Sequence, residues 1–291
     1  MTFHLRPARS EDLEGLLRLT TLPSARGFLT LPSESKEMKE LIALSQRSFT
    51  GKLEDKDEGE YLFVLFDGDQ KKVAGCSLII ARHGTPETPH NYFEVTEVQK
   101  ASRKLKKVFK HQILRLRLDA EGRTELGGLI LDPGYRGHPQ KLGKTLSFAR
   151  LLYIDRNPRR FQERLLVELL PPLTPEGKSL LWESLGRKFT GLDYLEADRL
   201  SRNDKEFITS LFPDGDFYTL FLPEEARFLI GEVGSDTKPV ARMLSEVGFH
   251  YLGQIDPFDG GPHYGALQKE VKINLVQDFL KQASVEVEWG G

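Results

Sequence analysis

The chain has 291 residues, 39% hydrophobic and 29% charged, which suits one or two closely packed globular domains. Its 41 basic and 43 acidic residues leave a net charge of −2, so no global electrostatic case exists for nucleic acid or a membrane surface. The single cysteine, Cys76, excludes an internal disulfide framework and any thiolate metal cluster, and suits a reducing compartment.

The opening "MTFHLRPARSEDLEGLLRL" has no apolar signal region, and no run reaches the roughly 18 apolar residues of a membrane span. A cytoplasmic protein with no membrane or nucleic-acid partner is expected. "FHLRPAR" predicts a first strand, after which Ser10 caps "EDLEGLLRLT", with Glu11 and Asp12 in its first turn. "SARGFLTLPSESKEMKELIALSQRSF" predicts a loop and then a helix capped by Ser33 or Ser35. "YLFVLFDGDQKKVAGCSLIIARH" predicts a hairpin turning at Asp67-Gly68-Asp69, with Cys76 a buried small hydrophobe. The stretch from "NYFEV" to "LRLRLD" alternates and carries "SRKLKKVFKH", whose cations read as a solvated face or as phosphate contacts.

"TELGGLILDP" predicts a buried strand with two glycines, Gly127 and Gly128, which weaken a strand unless something approaches its backbone closely. An amphipathic helix follows. "RLLVELLPPL" is a further strand, whose prolines end its pairing, and "TPEGKSLLWESLGRKFTGLD" predicts a helix ending near Gly186. Beyond residue 191 the pattern is less periodic: helical segments, then "KPVARMLSEVGFHYLGQIDPFDGGPHY" as helix, strand and glycine-rich turn. The expected organisation is a core over 1–190 and an α/β part over 191–291 packed on it.

The turn between the glycine-bearing strand and its helix holds the clearest chemistry. A helix N-terminus presents unpaired N–H groups and a positive dipole end. Gly137 and Gly143 let backbone close around an anion, and Arg136 and Lys144 add charge. The spacing Gln140-x-x-Gly143-x-Thr145 resembles the pyrophosphate turn of GNAT-type acyltransferases, with Thr145 in place of the last small residue. The element order also resembles the GNAT fold. That implies an α+β protein: a mixed sheet flanked by helices, whose glycine-bearing strand runs beside coenzyme A.

A closer resemblance covers nearly the whole chain. "RPARSEDLEGLLRL", "FLTLPSE", "ELGGLILDPGYR", "SLGRKF", "DYLEADRLS", "IGEV" and "GFHYLGQIDPFDGGP" occur in the order and spacing of the arginine N-succinyltransferase family. The resemblance implies succinyl transfer from succinyl-CoA to the α-amine of arginine or ornithine, a small-molecule substrate, and a homo-oligomer. A non-catalytic paralogue that binds coenzyme A or an amino acid, or an enzyme for another amine, is the alternative. The resemblance puts a succinyl-CoA contact at Leu129, beside Gly127 and Gly128, and a histidine proton donor where this chain has Gly234. It also implies a small β-rich tail beyond "DPFDGGP".

With Gly234 in that place, the candidates for proton handling are His250, His263 and Glu125. Asp256 and Asp259 are candidates for holding the substrate guanidinium, or else for shaping their turn. No metal site is expected, since no His/Asp/Glu cluster shows ligand spacing along the chain.

Overall fold

A computed structural model describes residues 2–22, 30–201 and 206–289; Phe28 and Leu29 of "FLTLPSE" lie outside them. β1 (Phe3–Pro7) leads into a 3-10 turn at Ser10–Asp12, and α1 (Leu13–Thr20) starts one turn later than Ser10 suggests. The reason is Asp12. Its buried carboxylate takes both Arg6 guanidinium nitrogens, at 2.6 and 2.9 Å, and the Arg9 N–H at 2.7 Å, so it belongs to the turn before the helix. α2 (Ser35–Phe49) follows, with Glu34 at its N-cap position.

β2 (Glu60–Asp67) and β3 (Lys72–His83) form the expected hairpin. Both bury nearly every residue because helices cover both faces of the sheet. Leu62, Val64, Cys76, Leu78 and Ile130 pack toward α1 and α2. Phe63, Leu65, Ile79 and Leu126 pack on the opposite face, with α3 (Leu142–Arg156).

β4 (His90–Ser102) and β5 (Lys107–Asp119) pair along their full length, and the basic stretch sits at their exposed tip. β6 (Arg123–Leu131) is the glycine-bearing strand, and β7 (Arg164–Glu168) follows α3. The segment expected as one helix ending near Gly186 is two short ones, α4 (Leu180–Ser184) and α5 (Gly186–Thr190). Gly186 starts the second because Trp182 fills the space a Cβ would need, 2.3 Å away. α6 (Tyr194–Ser201), α7 (Glu206–Leu211), β8 (Phe217–Tyr218), α8 (Glu224–Phe228) and α9 (Lys238–Glu246) precede β9 (His250–Ile255) and β10 (Pro262–Leu267). α10 (Ile273–Gln282) and β11 (Glu286–Val287) end the chain.

All the strands share one sheet, in the order β11-β1-β2-β3-β6-β7-β10-β9-β4-β5-β8. β2, β3, β6 and β7 lie together. β4 directly follows β3 in sequence yet sits five places away, against β9 at Phe93 and Glu94. Five strand spacings span about 24 Å in a flat sheet. The side chains of His83, ending β3, and His90, starting β4, nevertheless touch, so the sheet curls until this end nearly closes. That curl gathers the polar residues described next.

Candidate active site

β6 and β7 run parallel but pair only at Thr124↔Leu165 and Glu125↔Leu166. Beyond that point β6 keeps its ladder with β3 alone, and the two strands part. The parting begins at the glycine pair, upstream of Pro171 and Pro172. Gly128 has φ +58, a left-handed conformation that lets the strand bulge and that glycine adopts without strain. Gly127 is glycine for a different reason: a Cβ there would lie 2.6 Å from Thr30 and 2.8 Å from a Glu125 carboxylate oxygen. The pair was expected to leave open backbone for a ligand. On the face toward α1 and α2 the space at Gly127 is already filled, and the edge left without strand pairing is the one facing β7, along Gly127 to Leu131.

Arg150, buried on α3, holds this fork from behind. Its guanidinium donates to the Gly127 carbonyl at 2.8 Å and to the Ser147 hydroxyl at 3.2 Å. Burial lowers its pKa to about 10, against the pull of Glu125. Cys76 lies nearby, its thiol 3.7 Å from the Gly128 carbonyl. Burial pushes that thiol up to about 12, as befits an inert packing residue.

The turn from Asp132 to Lys141 is pinned at its near end. Asp132 accepts from Arg18 at 2.6 Å and from the Gly134 N–H at 2.9 Å. The Tyr135 hydroxyl donates to Asp67 at 2.7 Å. Lys141 then takes a left-handed conformation, φ 48, and points the first N–H groups of α3, at 142–144, out of the turn.

The side chains expected to add charge here are divided. Arg136 is half-exposed and pairs at the surface with Asp236, 3.8 Å away. Lys144 is committed to Glu246 at 2.9 Å and to the Phe148 and Phe279 rings. The Gln140 amide donates to the Ala283 and Ser284 carbonyls, at 3.1 and 3.0 Å. It staples the C-terminal segment rather than facing a phosphate. Gly143 has room: a Cβ there would meet only Leu131, at 3.7 Å.

At the fork stands Glu125, 4% exposed. His83 Nδ1 lies 3.0 Å from its carboxylate, and His83 Nε2 lies 2.8 Å from His90 Nδ1. His90 Nε2 is 3.6 Å from Glu168 Oε1, and His263 Nε2 is 3.8 Å from the same oxygen. Glu168 also lies with Asp256 and His263 in one group, and with His83 and His90 in another. Within each group the candidate ligand atoms are within 4.8 Å of one another. The expectation of no metal site rested on spacing along the chain, whereas these residues come from four strands and a turn.

Of the three proton-handling candidates, the fold brings Glu125 and His263 into this cluster and leaves out His250, exposed at the start of β9 opposite Gly265. His83, His90 and Glu168 were missed. The available signal was a lone glutamate inside the apolar run "RLLVELL" and two histidines bracketing a short turn. Asp256 and Asp259 do shape their turn. Asp256 accepts from the N–H groups of Phe258 and Asp259, at 2.7 and 3.0 Å, and Asp259 from that of Gly261, at 2.7 Å.

Gly234 sits on the β7 side of the fork. Its N–H donates to the Leu170 carbonyl at 2.8 Å, and a Cβ would lie 2.8 Å from the Pro171 carbonyl oxygen. Backbone occupies the space a side chain would take.

Comparison with known proteins identifies the family. A family described as arginine N-succinyltransferase beta subunit matches residues 3–273. The chain is 37% identical over 259 residues to the arginine N-succinyltransferase subunit beta of Pseudomonas aeruginosa, covering 89% of this chain and 74% of that one. It is 34% identical over 282 residues to the arginine N-succinyltransferase of Yersinia pestis, covering 97% and 79%. Among solved structures, arginine/ornithine succinyltransferase subunit AI from Pseudomonas aeruginosa superposes with a TM-score of 0.79 at 28% identity, covering 96% of this chain and 78% of that one.

Proposed function

The chain belongs to the arginine N-succinyltransferase family, and from that premise we propose that it moves succinyl from succinyl-CoA to the α-amine of arginine or ornithine. The observation that carries the reading is the parting of β6 from β7 with a buried carboxylate, Glu125, at the fork. The β7-facing edge of Gly127 to Leu131 takes the pantetheine as an added strand, with Leu129 beside the thioester. The 142–144 N–H groups, with Arg136 and Gly137, take the pyrophosphate.

The amine must lose a proton before it attacks. Glu125 accepts that proton, directly or through one water, with His83 Nδ1–H orienting the carboxylate. The amine nitrogen then bonds to the thioester carbonyl carbon, and backbone N–H groups of the parted strand hold the oxyanion. Collapse of the tetrahedral adduct breaks the carbon–sulfur bond and releases coenzyme A as its thiolate, which takes up a proton. The reading carries with it a cytoplasmic location and a homo-oligomer, with Asp256 and Asp259 keeping their turn role.

Gly234 favours a second reading, a paralogue that binds coenzyme A without turning over, because the family's proton donor has no counterpart there. Thiol release from succinyl-CoA with arginine, ornithine and other amines separates the two. Saturable release with arginine or ornithine supports transfer. Coenzyme A binding with no release from any amine sinks it.

A further inference from the structure

We propose that the β4–β5 hairpin is a docking arm for a second copy of this chain, its basic tip seating on the acidic, aromatic surface around Phe221 and Glu224 of that copy. Family membership implies an oligomer without saying which surface makes it, and this assignment does not rest on acyl transfer. The sheet order shows the arm. β9 reaches β4 only at Phe93 and Glu94, and β8 reaches β5 only at Ile113 and Leu114. From there to the turn, β4 and β5 pair with each other and with no other described strand. Residues 95–102 carry the ribbon out by roughly 25 Å.

A two-stranded ribbon is marginally stable in water unless something packs on it. This one holds apolar side chains out to solvent: Leu105 is 66%, Val108 58% and Phe109 55% exposed. Phe109 stacks on His111, which meets the Tyr218 ring edge-on. The apolar strip thus runs from the arm down to β8, beside which Leu220, Phe221 and Phe228 are exposed, Phe221 by 73%. A continuous apolar surface of this kind marks a protein contact.

Charge identifies the occupant. Residues 97–110 hold six cations, Lys100, Arg103, Lys104, Lys106, Lys107 and Lys110, against one carboxylate, Glu97, for a net +5. With the whole chain at −2, everything outside the arm carries −7. Lys110 is paired with Glu97 at 2.8 Å, and the other five cations have no ion pair among the described residues. The complement lies beside the root of the arm. Residues 206–232 hold six carboxylates and one cation, Arg227, for a net −5. Asp216 among them is tied to Arg115, whereas Glu224 and Glu225 stand exposed in the first turn of α8. Parallel arms would set like charges together. Antiparallel arms about a two-fold axis instead place each tip on the other copy's root, so the contact is made twice. Opposite charges then meet at both ends, with Val108 and Phe109 covered between them.

The test is sedimentation velocity of the full chain across concentration, without succinyl-CoA or arginine. The wild type is expected to dimerise, with Kd at least ~10-fold weaker in about 500 mM than in about 50 mM NaCl, because salt screens exposed charges. A tip variant, Arg103→Glu with Lys104→Glu and Lys106→Glu, and a root variant, Glu224→Lys with Glu225→Lys, are each expected to be monomeric. All these side chains are exposed, so circular dichroism should match the wild type. An equimolar mixture of the two variants should form dimers again, since each acidic tip meets a lysine root and each native tip a native root. Lys36→Glu, exposed on α2, should change nothing. A wild-type chain that stays monomeric at its highest soluble concentration overturns the proposal. A dimer indifferent to both variants overturns it, and so do monomeric variants that fail to pair on mixing. A monomer that sediments with phosphatidylserine vesicles, and loses them in the tip variant, overturns self-association and gives the arm to anionic lipid. Because catalysis is not read, none of these outcomes bears on acyl transfer.

Discussion

At the scale of single residues, the site depends on one carboxylate and one glycine. Glu125 is buried at the fork, its carboxylate occupying space that a Cβ on Gly127 would need. Glu125→Gln keeps the shape and removes the base. It is expected to lower kcat for succinyl transfer ~10²–10⁴-fold with little change in KM for succinyl-CoA; wild-type turnover in the variant would remove Glu125 from the chemistry. Gly234→His, which would put a histidine where the resemblance implies the family's proton donor, is expected to harm rather than help. Its Cβ would sit 2.8 Å from the Pro171 carbonyl oxygen, closer than packed atoms tolerate. A loss of roughly 1–3 kcal/mol of stability is expected from such overpacking. A denaturant midpoint equal to wild type, with faster arginine turnover, would show that the 170–171 backbone yields easily.

At the scale of elements, the sequence was informative wherever a local rule decides. The β2–β3 hairpin followed from its turn residues, and α3 from the glycine-bearing turn that precedes it. The apolar runs on either side of the Asp67-Gly68-Asp69 turn, with "TELGGLILDP" and "RLLVELLPPL", match β2, β3, β6 and β7 to within a few residues. The site was legible only in part. Glu125, His263 and Asp256 were named, but His83, His90 and Glu168 were not. Their meeting depends on a crossover that carries β4 past four strands, and nothing within a local window encodes that. Gln140 fails for a related reason: its amide is claimed by carbonyls 143 and 144 residues away.

The α3 N-terminus can be tested as an element. Gly143→Asp places a carboxylate where the first-turn N–H groups point, and its Cβ meets only Leu131, at 3.7 Å. The fold should survive while coenzyme A affinity falls at least ~10-fold, since the new charge repels the pyrophosphate and competes for its donors. Unchanged affinity by calorimetry would move the phosphate site elsewhere.

At the scale of the whole molecule, buried carboxylates tie the sheet to the turn that serves it, and this sets the response to acid. Asp67, 0% exposed, accepts from the Tyr135 hydroxyl at 2.7 Å and from the N–H groups of Asp69 and Gln70, both at 3.0 Å. Burial alone would raise its pKa, but these hydrogen bonds and the charge of Lys72 outweigh it and hold the group below its ordinary value of 3.8. Asp132, at the start of the same turn, is likewise lowered: burial opposes, while the Gly134 N–H and Arg18 prevail. A carboxylate whose folded pKa is depressed stabilises the native state above its unfolded pKa, and that contribution is lost as pH falls through the folded value. Stability should therefore stay level from neutrality to about pH 4 with respect to these groups and decline below it. Asp67→Asn is expected to lower neutral-pH stability by about 1–3 kcal/mol, leaving the Tyr135 hydroxyl a poorer acceptor. It should also flatten the decline below pH 4, because one of the linked protons is gone. Urea unfolding of both proteins from pH 7 to pH 3 reads the two effects together, and an acid limb of identical slope in the variant would show that Asp67 does not bind the linked proton.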